Sequence, residues 1–412
     1  MKRILVNSKK KEELFIAFVD GKILYDLDVE YLECKQRKLN IYKGKIIRIE
    51  SSLNAVFVDY GSNKNGFLPF KEISKKYFFK NNVNKFYHGT QNSLKLGQEC
   101  IVQIRKQERG KKGVSFTTFI SLVSSYLVLM PESPKIQGIS KKINGKNRVN
   151  LKKIFSLLKI PRNMGLIIRT SGFKQSAIEL QIDLDILLKN WKTIKEIAKV
   201  SSAPILIHQE GNVIFRVLRD CLYNEIDEIL IDNPIILKYV YEYIHLLRRN
   251  DFTNKIKLYT KKCSLFKYYQ IESQINSVFQ RVLKLPSGGS ITIDTVEALT
   301  AIDINSAHSK KYLNIEQTAF NTNLEAIYEI SRQLRLRDLG GLIVIDFIDM
   351  KILNNRKLII HFLRNILRKD RACIKIGSIS KFGLLEMSRQ RLSASLEKFN
   401  YYYCSICNEK NK

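Results

Sequence analysis

The sequence predicts a multidomain α+β protein, and three patterns predict it. Short, Gly-punctuated apolar stretches between residues 42 and 69 have the spacing of a small β-barrel. A strand, a long amphipathic helix and a second strand follow one another between residues 299 and 349. Alternating apolar positions (Ile4, Val6; Leu14, Ile16, Phe18) run through the first 35 residues and are broken by a turn at Asp20-Gly21. The 412 residues suffice for several domains, and 45% hydrophobic with 26% charged residues is ordinary for a folded chain. The charge is not ordinary. Against 70 Lys+Arg stand 39 Asp+Glu, a net of +31, and a polyanionic partner is the leading explanation for so large a surplus.

Several classes fall away. No stretch approaches the roughly 20 apolar residues of a membrane helix, so no membrane span is expected. The start, Met1-Lys2-Arg3-Ile4-Leu5-Val6-Asn7, runs into Lys9-Lys10-Lys11-Glu12-Glu13 without the apolar core of a signal peptide. Seven scattered Cys do not make a disulfide framework, and a soluble protein of a reducing compartment is expected. A helicase or other NTPase would need a GxxxxGK-type phosphate loop, which the chain lacks. Gly (19) and Pro (7) are sparse while Lys, Ile and Asn abound, the bias of an AT-rich genome.

Taken in order, residues 1–36 read as strands. Residues 37–118 form the barrel, from Tyr42-Lys43-Gly44-Lys45-Ile46 through Asn54-Ala55-Val56-Phe57-Val58 to Gly66-Phe67-Leu68-Pro69, with a loop at 77–95. This segment holds 17 Lys+Arg and 5 acids. Residues 119–214 are mixed: a mobile basic loop at 138–148, a helix near 150–160, a strand at 165–170 and a helix at 177–199. In 215–278 the run Glu228-Ile229-Leu230-Ile231-Asp232 is a strand beside at least one helix. Residues 279–400 carry the clearest α/β pattern, and 401–412 form a polar tail ending in Cys404-Ser405-Ile406-Cys407.

Chemistry concentrates in the α/β segment. In Leu299-Thr300-Ala301-Ile302-Asp303-Ile304-Asn305, strand alternation puts Asp303 and Asn305 on one face. In Leu342-Ile343-Val344-Ile345-Asp346-Phe347-Ile348-Asp349, Asp346 interrupts an apolar run, where a charge is expensive unless paired or metal-bound. The helix at 316–339, striped with Phe320, Leu324, Ile327, Ile330 and Leu334, can return the chain so that Asp303 and Asp346 end on neighbouring strands. Two such carboxylates suit Mg²⁺; alternatively one of them pairs with Arg335 or Arg337. In the barrel, Phe57, Tyr60 and Phe67 alternate with polar and Gly residues, and Lys112 lies on the basic edge 106–112. Exposed, such a set stacks bases and neutralises phosphates; otherwise the aromatics are core. Arg169-Thr170 could hold a terminal phosphate. Cys404 and Cys407 are half of a tetrahedral Zn²⁺ site, or a redox pair.

Together these residues carry a resemblance. Leu285-Pro286-Ser287-Gly288-Gly289-Ser290, Glu297-Ala298-Leu299-Thr300-Ala301-Ile302-Asp303-Ile304-Asn305-Ser306 and Thr318-Ala319-Phe320-Asn321-Thr322-Asn323 resemble the catalytic region of the ribonuclease E/G family. So do Arg332-Gln333-Leu334-Arg335-Leu336-Arg337-Asp338-Leu339-Gly340-Gly341 and Phe382-Gly383-Leu384-Leu385-Glu386-Met387-Ser388-Arg389, and the likeness runs from residue 1 to 412. The resemblance implies an OB-fold barrel (37–118) inserted in a ribonuclease-H-like domain (1–36 with 215–278), a 5′-end sensor region (119–214) and a DNase I-like catalytic domain (279–400). It implies an endoribonuclease of rRNA and mRNA processing and decay that cuts single-stranded AU-rich RNA, leaving 5′-phosphate and 3′-hydroxyl ends. The rival reading is a non-catalytic single-stranded RNA-binding protein.

By position, Asp303 and Asp346 match the family's Mg²⁺ ligands and Asn305 its contact to the scissile phosphate. Phe57 and Phe67 match a base-stacking pair, with Tyr60 beside them, and Lys112 matches a phosphate contact. Arg169, Thr170 and Val128 match a 5′-monophosphate pocket. Cys373 stands where the family usually has a supporting Arg, and Ser124 replaces a usual Gly, so weak 5′-end discrimination is expected. Cys404 and Cys407 match a Zn²⁺ link between two chains, implying a homodimer. The other cysteines are expected to be packing residues. The small following domain that pairs dimers into tetramers is expected to be absent. A plastid stroma is the expected location, with a bacterial cytoplasm second.

Overall fold

The computed structural model describes residues 1–10, 13–31, 38–78, 94–108, 113–140, 143, 145–211, 213–221, 226–246, 250–306, 314–368 and 370–392. Three strands at the N-terminus, Lys2–Lys10, Glu13–Asp20 and Ile23–Tyr31, make an antiparallel meander. Glu228–Ile231 and Ile256–Leu258 join its first edge in parallel, so segments more than 200 residues apart share one five-stranded sheet. The intervening chain is an insertion. It opens with a five-stranded closed barrel, as the strand spacing predicts. Its first strand, Ile41–Glu50, pairs with both Ala55–Asp59 and Glu99–Lys106, which closes the circle through Gly66–Pro69 and Ser115–Thr117. Gly66 is required there: a Cβ at that position would lie 2.0 Å from the Phe116 ring, which fills the barrel.

Two features differ from the sequence reading. The strand Ile205–His208 returns from the following segment to pair with Ile41–Glu50, so the barrel and the segment 119–214 share a sheet. The stretch 138–148, expected as a loop, contributes to a strand, Gln137–Ile139, and to a helix beginning at Gly145. Ile139 and Ile143 are buried against Leu166, Ile168 and Leu180, an apolar pull that the basic composition masked. The helix Ala177–Val200 covers this second sheet with Leu180, Leu184, Leu187 and Trp191, and a Ser176/Glu179 capping box starts it.

The last unit is a six-stranded sheet in the order Val282–Lys284, Ser290–Thr295, Leu299–Asn305, Gly341–Asp346, Leu384–Arg389, Ile374–Ile379. Helices Ile315–Leu336 and Leu353–Leu367 cover one face and bury Ile302, Ile304, Ile327, Ile330, Ile343, Ile345 and Leu363. On the other face Ala301, Asp303, Asn305 and Asp346 are exposed. Three arginines moor this unit to the first sheet: Arg332 Nε donates to Leu24 O (2.6 Å), Arg335 Nε to Tyr25 O (3.2 Å), and Arg371 pairs with Asp26 and Asp28. Arg337 donates to Gln333 Oε1 and Gln280 O, and among the described residues neither Arg335 nor Arg337 forms an ion pair with Asp303 or Asp346. Of the cysteines expected to pack, Cys100 is buried, whereas Cys263 and Cys373 sit on connecting segments and are exposed. Among the described residues no helix is long and apolar enough to cross a membrane. Lys112, Cys34, Cys404 and Cys407 lie outside the described residues.

Candidate active site and nucleic-acid interface

Along Leu299–Asn305 burial alternates strictly: Thr300, Ile302 and Ile304 face the helices, while Ala301, Asp303 and Asn305 face solvent. Gly341–Asp346 runs parallel beside it, and Asp303 and Asp346 are direct register partners at the strand ends. Asn305 Nδ2 donates to Asp303 Oδ2 at 2.7 Å, which turns the amide toward the carboxylate pair. Partial burial, then the neighbouring Asp303 and Asp349 charges, hold the Asp346 carboxyl above the usual carboxylate range. Asp346 is therefore not a charge sunk in an apolar run. It stands exposed at the strand end, and its penalty comes partly from like charge. Among the described residues neither carboxylate pairs with a cation.

The loop after Asp346 is held by the helix Ile315–Leu336. Asn323 is fully buried and reads Ile348 as a strand neighbour would: Nδ2 donates to Ile348 O (2.8 Å) and Oδ1 accepts from Ile348 N (3.1 Å). Two turns nearer the helix N-terminus on the same face, Glu316 accepts from Lys351 N (2.8 Å), Ile352 N (3.2 Å) and Asn355 Nδ2 (2.8 Å). These hydrogen bonds, that of Lys351 N first, hold the Glu316 carboxyl below its ordinary value. Neither Asn323, Glu316 nor Asp349 was given a role by the sequence reading. A signal existed for Asn323, a polar residue of modest helix propensity set beside the apolar stripe.

On the barrel, Phe57 and Phe67 face each other across Ala55–Asp59 and Gly66–Pro69, half-exposed, with ring centroids 6.0 Å apart at 68°. Arg48 lies over the Phe57 ring at 6.0 Å, and a hollow of about 390 Å³ opens beside them, lined by Arg48, Phe57, Asn63, Lys64 and Asn65. Tyr60 is a correction. It is 4% exposed and packs edge-on against Tyr42 and Phe116, so it fills the core and offers no stacking face.

In the adjoining sheet a hollow of about 230 Å³ is lined by Ser140, Ile167, Arg169, Thr170 and Ser171. Arg169 Nη1 donates to Ser124 O (2.6 Å) and Ser125 O (3.3 Å), and the hydroxyls of Thr170 and Ser140 lie 3.1 Å apart. Val128 is Ile167's neighbour on the next strand and is half-buried. The Ser124 hydroxyl donates to Asp183, whose carboxyl burial pushes up against this and other hydrogen bonds. Cys373 precedes the strand Ile374–Ile379 in the last sheet and is not among the residues lining the hollow.

Comparison with known proteins returns two families. Residues 121–392 match the Ribonuclease E/G family and residues 35–119 the S1 RNA binding domain. The chain is 60% identical over 99% of its length to Ribonuclease E of Buchnera aphidicola subsp. Schizaphis graminum, covering 42% of that protein. A relative from Buchnera aphidicola subsp. Baizongia pistaciae is 59% identical over 98% of both chains. Ribonuclease G of Escherichia coli is 34% identical, with 98% of this chain and 83% of that one covered. The chain thus spans less than half of the length of several curated relatives it matches, those from Escherichia coli and Haemophilus influenzae included, and nearly all of another.

Proposed function

Because the chain belongs to the ribonuclease E/G family and carries an S1 RNA-binding barrel, we propose that it is a Mg²⁺-dependent endoribonuclease cutting single-stranded, AU-rich RNA to leave 5′-phosphate and 3′-hydroxyl ends. One observation supports this most: Asp303 and Asp346 stand side by side on an open sheet face with Asn305 turned toward them. Two carboxylates without a protein cation form the donor set a hard divalent ion fills, its remaining positions left to water and substrate phosphate. Bound there, Mg²⁺ would supply charge stabilisation for the in-line transition state and acidity for the attacking water. Asp303 and Asp346 would hold the ion, and Asn305 would orient the scissile phosphate without adding negative charge. The barrel face at Phe57 and Phe67, with Lys112, grips the strand. A 5′-monophosphorylated AU-rich oligonucleotide is the test: the expected result is Mg²⁺-dependent scission with 5′-phosphate products, abolished by EDTA. Binding without scission would instead favour a purely RNA-binding role.

Three smaller effects follow. Phe67→Ala should weaken RNA binding by about 1–3 kcal/mol, the worth of one stacked base, with little change in melting; equal affinity in a filter-binding titration would count against the barrel face. Asn323→Ala leaves Ile348 N–H and C=O without their partner, so a stability loss of roughly 1–3 kcal/mol and a raised Mg²⁺ requirement are expected. An unchanged Mg²⁺ titration curve would remove Asn323 from the site. With Cys373 and Ser124 in place, the rate ratio between 5′-monophosphate and 5′-hydroxyl RNA should be small; a large ratio contradicts this.

Cys404 and Cys407 we assign to a Zn²⁺ link between two chains, checked by zinc content and by dimer loss in Cys404→Ser. The relatives named above are bacterial, which favours a bacterial cytoplasm over a plastid stroma as the setting.

A further inference from the structure

The strands Ile374–Ile379 and Leu384–Arg389 are joined by the turn Ser380-Lys381-Phe382-Gly383. Leu384, the first residue after it, is the register partner of Asp346, so the turn lies at the end of the sheet where the carboxylates stand. At Gly383 the backbone takes φ +81, and a Cβ there would lie 3.4 Å from Asp349 Oδ1. Three hydrogen bonds fix the turn: Ser380 N to Leu384 O (2.8 Å), Gly383 N to Ser380 O (3.2 Å) and Phe382 N to Ser380 Oγ (3.2 Å). At its tip Phe382 is 88% exposed, with Lys381 exposed beside it. An aromatic ring so placed gains almost nothing from folding, because apolar stabilisation scales with the area removed from water.

We propose that Phe382, with Lys381, is a substrate platform beside the carboxylate pair, the ring stacking on a base next to the scissile phosphate and the ammonium meeting a neighbouring phosphate. A ring stacks on any base through its π-face, and an adjacent cation tracks the backbone. This rests on the ribonuclease reading above. It adds a second grip at the cut, separate from the barrel face, which would set the register of the strand over Asp303 and Asp346. A hydrogen-bonded turn suits that task, since a pre-ordered ring gives up little freedom on binding.

Steady-state cleavage by the full chain and by Phe382→Ala, Phe382→Leu and Phe382→Trp provides the test. Oligonucleotides carrying 2-aminopurine at single positions around the cut are read in parallel in an Asp303→Asn background. Phe382→Ala and Phe382→Leu should lose about fivefold to about a hundredfold in kcat/KM with unchanged melting, and Phe382→Trp should restore it. Stacking should quench 2-aminopurine at one position and lose that quench in Phe382→Ala. Full activity in Phe382→Ala, or equal rates in Phe382→Leu and the unaltered chain, overturns the platform. Should the unaltered chain fail to cleave, the ribonuclease reading falls, while the 2-aminopurine signal still decides whether Phe382 stacks on RNA.

Discussion

Asp346→Asn and Asp303→Asn should each lower Mg²⁺-dependent cleavage by at least roughly 10²–10³-fold, the size of effect seen when one preorganised electrostatic group is removed from a transition state. RNA affinity should persist, because the gripping surfaces lie on the barrel and outside this sheet face. Stability separates the two roles further. The Asp346 carboxyl is held above its ordinary value by burial and by Asp303 and Asp349. A carboxyl with a raised folded value contributes most to stability when protonated, at low pH, and loses that contribution as pH rises through the raised value. Removing the charge in Asp346→Asn should therefore leave melting at neutral pH unchanged or slightly higher. In the unaltered chain, cleavage at limiting Mg²⁺ should fall on acidification sooner than an ordinary carboxylate would allow, because protonated Asp346 cannot ligate. Wild-type turnover by either purified variant would remove the pair from the mechanism.

Arg389→Met should produce the largest loss of stability, about 3–5 kcal/mol. The guanidinium is nearly inaccessible and donates to Asp370 Oδ2 (2.9 Å), Asp338 Oδ1 (2.7 Å) and Leu339 O (2.8 Å). Truncation takes the guanidinium away from the carboxylate of Asp370, which is 1% exposed and keeps the Ala372 N–H donor (2.8 Å). The same group ties Leu384–Arg389 to the turn after helix Ile315–Leu336, where Asp338 has φ +45 and also accepts from Leu392 N. Denaturant unfolding should show a lower midpoint at similar slope. A double change, Arg389→Met with Asp370→Asn, should recover part of the loss, which distinguishes a lost ion pair from lost packing. A midpoint unchanged in Arg389→Met would mean that the pair is not a stabilising tie.

Legibility in the sequence follows the range of the interactions. The carboxylate pair could be read because it depends on strand period and one helical return: Asp303 and Asn305 share a face by alternation, and the stripe from Phe320 to Leu334 brings Asp346 back beside them. The closed barrel was readable from its Gly-spaced strands. What could not be read depends on contacts distant along the chain. Tyr60 looks like Phe57 and Phe67 in the local pattern, yet the barrel's closure turns it inward onto Phe116. Asn323 and Glu316 act on backbone 25 and 35 residues away. Arg335, weighed in the sequence as a partner for a catalytic-strand carboxylate, is with Arg332 a mooring to a strand some 310 residues earlier. In 138–148 the basic residues hid two isoleucines that anchor it.

In the proposed reaction Asp303 and Asp346 would place a divalent ion on the scissile phosphate. Replacing one non-bridging oxygen of that phosphate with sulfur tests it most directly, since a hard ion binds sulfur poorly and a softer one binds it well. The expected result is slow cleavage of one phosphorothioate diastereomer in Mg²⁺, recovery in Mn²⁺ or Cd²⁺, and no recovery in Asp303→Asn. Equal rates for oxygen and sulfur substrates in Mg²⁺, or recovery that survives loss of Asp303, would contradict it.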